Sequence, residues 1–465
     1  VLVLAERPRP RAVREHPMAG WMAVATVCFG AFMGQLDASI VTLTFPALQR
    51  ELHQPLAVVQ WVSLAYLLVL VGLVAAAGRL ADAVGRKAVY LYGFAVFTVA
   101  SAACALAPGL GWLVGFRVVQ AGGAAMLQAN SVALVVTSVP QQKMRAALGV
   151  QAAAQALGLA LGPALGGLLV ASVGWRWVFW VNVPVGVVAL VAGRYLLPRT
   201  RQRRPLRGFD WPGLLALGAA STALLLGVSA FSGLALPGWA AAALVGASAP
   251  GFAGFAWRER TTANPLVDLS LLRPAAVSVG LLGALFAYMV LFGPLALFPQ
   301  VLGGRAGLVL TALPAGFALA AVLAGRAVPR RWDERWGPRA RGLAGAVTAV
   351  VASGALLLSP RDLAWVACWL LVLGLGLGVL IPANNASIMG AVPPSAAGTG
   401  GGLVNMARGL GTAFGVAAVT ASLHLAPGSP TSGPRVALTV LLVCAVVVAA
   451  TALAGTSAPT RRSTP

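Results

Sequence analysis

The sequence predicts an all-α polytopic membrane protein of fourteen transmembrane helices, set out as two six-helix halves with an inserted helix pair. Three observations predict it. First, 59% of the 465 residues are hydrophobic and only 9% are charged, against roughly 25% charged in soluble domains. Fourteen helices at about 20 apolar residues each need about 280 such residues, close to what this chain carries. Second, the apolar residues form long continuous runs and do not alternate, which argues against a transmembrane β-barrel. Third, the basic residues sit in short clusters between the runs. A soluble enzyme and a disordered chain are excluded on composition.

Breaks at charge, Pro and Gly place the spans in order. An Arg-containing tail, 1–19, precedes span 1 at 20–46, whose length and Asp37 argue against a cleaved secretory signal; Met18 is a candidate start. Span 2 (57–78) ends at Gly78-Arg79, and span 3 (88–107) lies between Arg86-Lys87 and Pro108. Span 4 (111–137) stops before Pro140. Span 5 (146–171) follows Lys143 and Arg145, and span 6 (178–197) stops at Pro198. Together 20–197 form the first six-helix half. A basic linker, 198–211, leads to spans 7 (212–231) and 8 (237–257), the extra pair at 212–257. A second linker, 258–274, opens the second half at 275–455. Its spans fall at 275–302, 307–328, 341–358, 363–389, 398–424 and 435–455, and a tail, 456–465, closes the chain.

The basic residues test this count. With the N-terminus in the cytoplasm, twenty-six Lys and Arg fall in cytoplasmic segments and five in outer ones, with Arg117 and Arg408 inside spans. Such asymmetry is the positive-inside pattern, and it fits an even number of spans with both termini cytoplasmic. The net charge of +22 has no extended polar surface to occupy, so nucleic acid is not an expected partner. Cys28, Cys104, Cys368 and Cys444 lie far apart within apolar runs and read as small core residues.

An internal repeat supports the two halves. Val139-Pro140 precedes Gly158 and Gly162, and Val392-Pro393 precedes Gly411 and Gly415 at the same spacing, 253 residues on. Duplicated halves enclosing a site are a transporter signature.

Ionisable residues inside the bilayer are costly and therefore candidates for function. Asp37 is the only carboxylate well inside a span. It reads either as a proton carrier or as a structural carboxylate paired to an arginine. Arg117 keeps its proton and reads either as an interior counter-charge or as an interfacial arginine reaching the headgroups. At about 100° per residue, Arg117, Gln120, Gln128 and Ser131 share one stripe of span 4. On span 5, Gly158, Gly162 and Gly166 form a ridge for close helix packing with Pro163 inside it, and Gln151 and Gln155 continue that face. Asn405 and Arg408 share a face of span 13. Asn384 and Asn385 follow Pro382, where helical hydrogen bonding is expected to be interrupted. These polar residues are weak candidates for substrate contact, and polar helix–helix contact is the competing reading. The chain has no phosphate-binding loop of the ATPase type and no clustered metal ligands.

Several motifs then match a known pattern. They are Leu36-Asp37-Ala38-Ser39 with Pro46, Gly78-Arg-Leu-Ala-Asp82-Ala-Val-Gly85-Arg86-Lys87, Arg117-Val-Val-Gln120-Ala-Gly-Gly123, Gly158-Leu-Ala-Leu-Gly162-Pro163-Ala-Leu-Gly166-Gly167, and Gly174-Trp-Arg-Trp through Asn182-x-Pro184. The chain resembles the fourteen-span drug:proton antiporters of the major facilitator superfamily over nearly its whole length. The resemblance implies the major facilitator fold, alternating access, and export of drug-like molecules or a secondary metabolite driven by proton influx. It implies a multi-pass protein of the cell membrane acting in multidrug efflux or antibiotic resistance, as a monomer, with no cofactor beyond the proton gradient and no enzymatic activity. Asp37 and Arg117 would serve proton coupling. Gly78, Asp82, Gly85 and Arg86 would form a cytoplasmic latch between helices, and Gly158, Gly162, Pro163, Gly166 and Gly167 the antiporter packing motif. The second-half copy of the signature loop, around Asp333 and Gly337, is degenerate. The alternatives are an uptake symporter or facilitator of the same superfamily, and, behind it, a membrane sensor.

Overall fold

The computed structural model describes residues 8–200, 210–230, 234, 236–262, 265, 269–303, 306–326, 330–358, 362–392, 397–425 and 432–454. Most of the 198–211 linker, the 456–465 tail and the side chains of Asp333 and Gly337 lie outside the described residues. Among those described, fourteen helices have fifteen residues or more. They are α1 (Ala19–Ile40), α2 (Trp61–Val84), α3 (Arg86–Ala105), α4 (Leu110–Ser138), α5 (Met144–Ser172), α6 (Asn182–Leu196), α7 (Trp211–Ala230), α8 (Gly238–Thr261), α9 (Ala275–Leu302), α10 (Ala312–Arg326), α11 (Arg330–Leu356), α12 (Leu363–Ala391), α13 (Ala397–Leu425) and α14 (Ser432–Ala454). Among the described residues, twelve stretches are long and apolar enough to cross a membrane, and two shorter apolar helices span Ala306–Ala320 and Ala340–Leu356.

Local chemistry explains where helices depart from the apolar runs. The first run breaks after Ile40 into a 3₁₀ turn, Val41–Thr44, and a new helix, Phe45–Leu52. There the Thr42 hydroxyl donates to the Ser39 carbonyl at 3.1 Å and the Thr44 hydroxyl to Val41 at 2.6 Å. Pro46 then takes a first-turn position of the new helix, where its missing N–H is no loss. The tenth run divides into Ala306–Leu310 and α10, because Pro314 in the first turn of α10 starts a helix better than it continues one.

Helices α1–α6 pack on one another, as do α9–α14. Small residues set both arrangements. A Cβ at Gly158 would strike the Phe32 carbonyl of α1, and one at Gly162 would overlap the Ser39 hydroxyl. A Cβ at Gly166 would come within 2.8 Å of Ile40. In the second group, Gly411 of α13 lies against the Leu285 carbonyl of α9, and Gly415 lies against Met289. The 253-residue repeat in sequence is thus also a repeat in packing: the fifth helix of each group carries a glycine ridge against the first. Replacing Gly158 with leucine inserts four heavy atoms against backbone. The expected cost is about 1–3 kcal/mol, typical of overpacking, seen as a lower unfolding temperature of detergent-solubilised protein. An unchanged transition would mean that the α1–α5 contact is looser than described.

The groups meet along two seams. At one, α2 lies against α13, with Val71 close over Gly409. At the other, α5 lies against α10 and the preceding short helix. There Gly167 and Gly307 meet backbone to backbone, so a Cβ on either would come within 2.7 Å of the other Cα. The inserted helix α7 runs along the first seam. Leu214 and Leu217 pack with Leu73 and Ala76 of α2 and with Leu403 and Met406 of α13, while Ser229 reaches Gln60 at 3.4 Å. Asp210, within the expected linker, is fully buried at the start of α7. Its Oδ1 accepts from the Gly213 N–H at 3.1 Å and from Arg258 Nε of α8 at 2.7 Å, which locks the two inserted helices together.

Candidate functional site

The two ionisable residues that the sequence singles out in spans 1 and 4 meet in the core of α1–α6. Arg117 Nη1 donates to Asp37 Oδ2 at 2.6 Å, with the side chains 1% and 0% exposed. The same nitrogen donates to Gln120 Oε1 at 2.6 Å, and Arg117 Nε donates to the Val62 carbonyl of α2 at 2.9 Å. Gln120 in turn donates to Asp37 Oδ1 at 3.1 Å and to Ser101 Oγ of α3 at 2.8 Å. Asn182 of α6 adds a longer contact to Asp37 Oδ1 at 3.4 Å. The Tyr66 ring lies 4.0 Å beneath the guanidinium. The network around this one carboxylate therefore ties together α1, α2, α3, α4 and α6.

This arrangement corrects the reading of Arg117 as an interfacial arginine: it is buried and aimed inward. A buried ion pair holds only when its remaining donors and acceptors are satisfied; Gln120, the Val62 carbonyl and Asn182 supply those partners, and Ser101 in turn accepts from Gln120. Gln120 is thus a ligand of the ion pair. The network also contains Ser101, Asn182 and Tyr66, which sequence reasoning did not place in the site. Their signal was present, since each is a polar residue within an apolar run, but nothing in the sequence says which helices adjoin.

The polar stripe of α4 divides along its length. Its inner-core end, Arg117 and Gln120, serves Asp37. Further along, Gln128 faces the second helix group and accepts from Arg408 Nη2 of α13 at 2.5 Å. Ser131 accepts from Gln151 Nε2 of α5 at 2.9 Å, so buried Gln151 joins two helices. Asn384 does the same, donating to the Gly280 carbonyl of α9 at 2.8 Å, and α12 continues as helix through Pro382. Gln155 and Asn405 are half-buried, and no side-chain hydrogen bond of theirs joins these networks.

At the other end of α2, the signature loop makes a compact charged knot. Arg86 donates to Asp82 Oδ1 from Nε at 3.1 Å and from Nη2 at 3.0 Å. Gly85 between them has φ 124°, a backbone region that side chains rarely adopt. Gly78 lies half-buried one turn before Asp82, facing Ala129 of α4. Buried Lys87 donates to the Arg194 and Leu197 carbonyls at 2.9 and 2.8 Å, placing a cation at the C-terminus of α6, where the helix dipole favours it. The Arg86 N–H donates to Thr200 at 2.8 Å, and Arg79 donates to the Pro265 carbonyl at 2.9 Å. The loop therefore holds both segments that flank the inserted pair.

Comparison with known proteins follows the same residues. The family model described as Major Facilitator Superfamily matches residues 27–416. The tetracenomycin C resistance and export protein of Streptomyces glaucescens is 31% identical over 427 residues, covering 88% of this chain and 78% of that protein. The riboflavin transporter RibZ of Clostridioides difficile (strain 630) is 29% identical over 405 residues, 85% of this chain and 87% of that protein. The multidrug resistance protein Stp of Mycobacterium tuberculosis (strain CDC 1551 / Oshkosh) is 32% identical over 397 residues, 83% of this chain and 73% of that protein.

Proposed function

The chain belongs to the Major Facilitator Superfamily, and from that premise we propose that it is a proton-coupled antiporter that exports a drug-like small molecule or secondary metabolite. The observation that carries this reading is the Asp37–Arg117 pair at 2.6 Å in a fully buried network. A carboxylate is the natural proton carrier at membrane depth. Protonating Asp37 removes the charge that holds Arg117 and loosens a joint shared by five helices. A proton taken up from outside thereby becomes a change in helix packing, the condition for coupling a gradient to alternating access. In this reading fourteen spans cross the cell membrane with both termini cytoplasmic. A monomer works by rocking α1–α6 against α9–α14 about the two seams.

The resistance and export names of relatives from Streptomyces and Mycobacterium support the outward direction. A second reading, uptake by a symporter or facilitator, is favoured by the likeness to a riboflavin transporter. Substrate movement in inverted membrane vesicles, with and without an imposed proton gradient, separates the two. Gradient-driven accumulation inside inverted vesicles supports export, and gradient-independent equilibration removes it.

Asp82 and Arg86 act in this scheme as a latch that favours one access state. Because Asp82 pairs with Arg86 and not with a substrate-facing group, Asp82→Asn will slow turnover and leave binding nearly unchanged. Transport rate and binding affinity measured on the same preparation check this, and equal losses in both count against a latch.

A further inference from the structure

The geometry points to Arg408 as the recognition group for a negatively charged moiety on the exported compound, so that this carrier selects amphipathic organic anions. The inference rests on the export reading above and names the substrate class for the seam between the two helix groups.

Arg408 is a permanent cation midway along α13, and it faces across the seam to α4. Its hydrogen-bond acceptor there is the neutral amide of Gln128, and its other neighbour is the neutral Tyr288 of α9. Among the described residues no carboxylate lies within ion-pair distance of it. The sequence offers no substitute: from Ala275 to Ala454 the acidic residues are Asp333, Glu334 and Asp362, all near helix ends. The remaining carboxylate at this depth, Asp37, is already neutralised by Arg117. The seam therefore carries a positive charge with no carboxylate partner among the described residues, and an unpaired cation at membrane depth is costly. An anionic ligand offsets that charge where Gln128 cannot.

Two further features fit a ligand at this place. Arg408 and Gln128 are half-buried, so their heads remain reachable from the seam. Tyr66 is 1% exposed and its hydroxyl has no hydrogen-bond partner, although a buried donor normally finds one. It lies within electrostatic range of Asp37, Arg117 and Arg408 alike. An anion held by Arg408 with help from the Tyr66 hydroxyl would sit beside the Asp37–Arg117 joint, where its arrival and a proton's departure act on the same helix, α2.

Three fluorescent probes sharing one aromatic group test the assignment: dansylglycine (anion), dansylamide (neutral) and dansylcadaverine (cation). Binding is measured by fluorescence to the full chain in nanodiscs. Proton-driven movement is measured in proteoliposomes. The expected order is dansylglycine tightest, by about tenfold or more over dansylamide, and dansylcadaverine weakest. Arg408→Gln removes the preference for the anion, and Arg408→Lys keeps the order with a smaller gap. If Arg408→Gln fails to insert, the ranking by the unmodified chain decides. Equal binding of the three probes, a preference for the cation, no binding of dansylglycine, or an anion preference that survives Arg408→Gln overturns the assignment. Proton-driven movement of dansylamide or dansylcadaverine without anion preference leaves the export reading standing and removes this one. Arg408-dependent anion binding without any proton-driven movement does the reverse.

Discussion

Asp37→Asn will abolish proton-driven accumulation of substrate while the chain still inserts and folds. The substituted amide keeps an acceptor for Arg117 near its present 2.6 Å and removes only the titratable charge. Complete removal of one partner of a buried pair costs about 3–5 kcal/mol, and the amide's dipole retains part of that. Two measurements therefore diverge: unfolding temperature changes modestly and gradient-driven transport falls to background. Substrate exchange without a gradient is expected to survive, since it needs the seam and not the proton. Normal uphill transport by this variant would make Asp37 a structural residue and remove the coupling site.

Arg117→Ala has the second large effect, and it damages fold and transport together. It deprives Asp37 of its counter-charge and removes the guanidinium donors to Gln120 Oε1 and to the Val62 carbonyl. A loss of about 3–5 kcal/mol follows, along with nearly all transport. Arg117→Lys separates charge from shape. A lysine can carry the contact to Asp37, but its single ammonium cannot also reach Val62 and Gln120 in the directions that the planar guanidinium serves. Partial transport with a displaced pH profile is expected. Transport against pH, normalised to inserted protein, checks both variants, and full activity in Arg117→Ala would exclude Arg117 from the mechanism.

The candidate site was legible to unequal degrees. Asp37 and Arg117 stood out because a charge within an apolar run is rare, and their pairing was among the readings that the sequence left open. The shared stripe of Arg117, Gln120, Gln128 and Ser131 was also readable from helical period. Its division was not. Those residues span about 21 Å of helix, far enough for one end to meet Asp37 and the other to meet Arg408 across a seam, and period gives direction around an axis but no partner at each level. Asp210 was not singled out in the sequence for a related reason. A carboxylate beside five linker arginines resembles solvated charge, and only the fold brings α8 back to bury it against Arg258. Pro46 marked the end of the first span in the sequence, but the apolar run alone hid the 3₁₀ turn before it and the new helix that it opens.

The position of α7 makes the two seams unequal in a bilayer. Along α2 and α13 the boundary between helix groups is roofed by protein, with Leu214 and Leu217 filling it. Along α5 and α10 neither inserted helix covers it among the described residues, and Leu157 and Leu168 of α5 and Leu319 of α10 are exposed. In the proposed rocking motion, acyl chains would therefore press on the two groups from one flank. Ordered or thick membranes should load that flank alone, so fatty-acid saturation becomes a control on turnover that the roofed side does not feel.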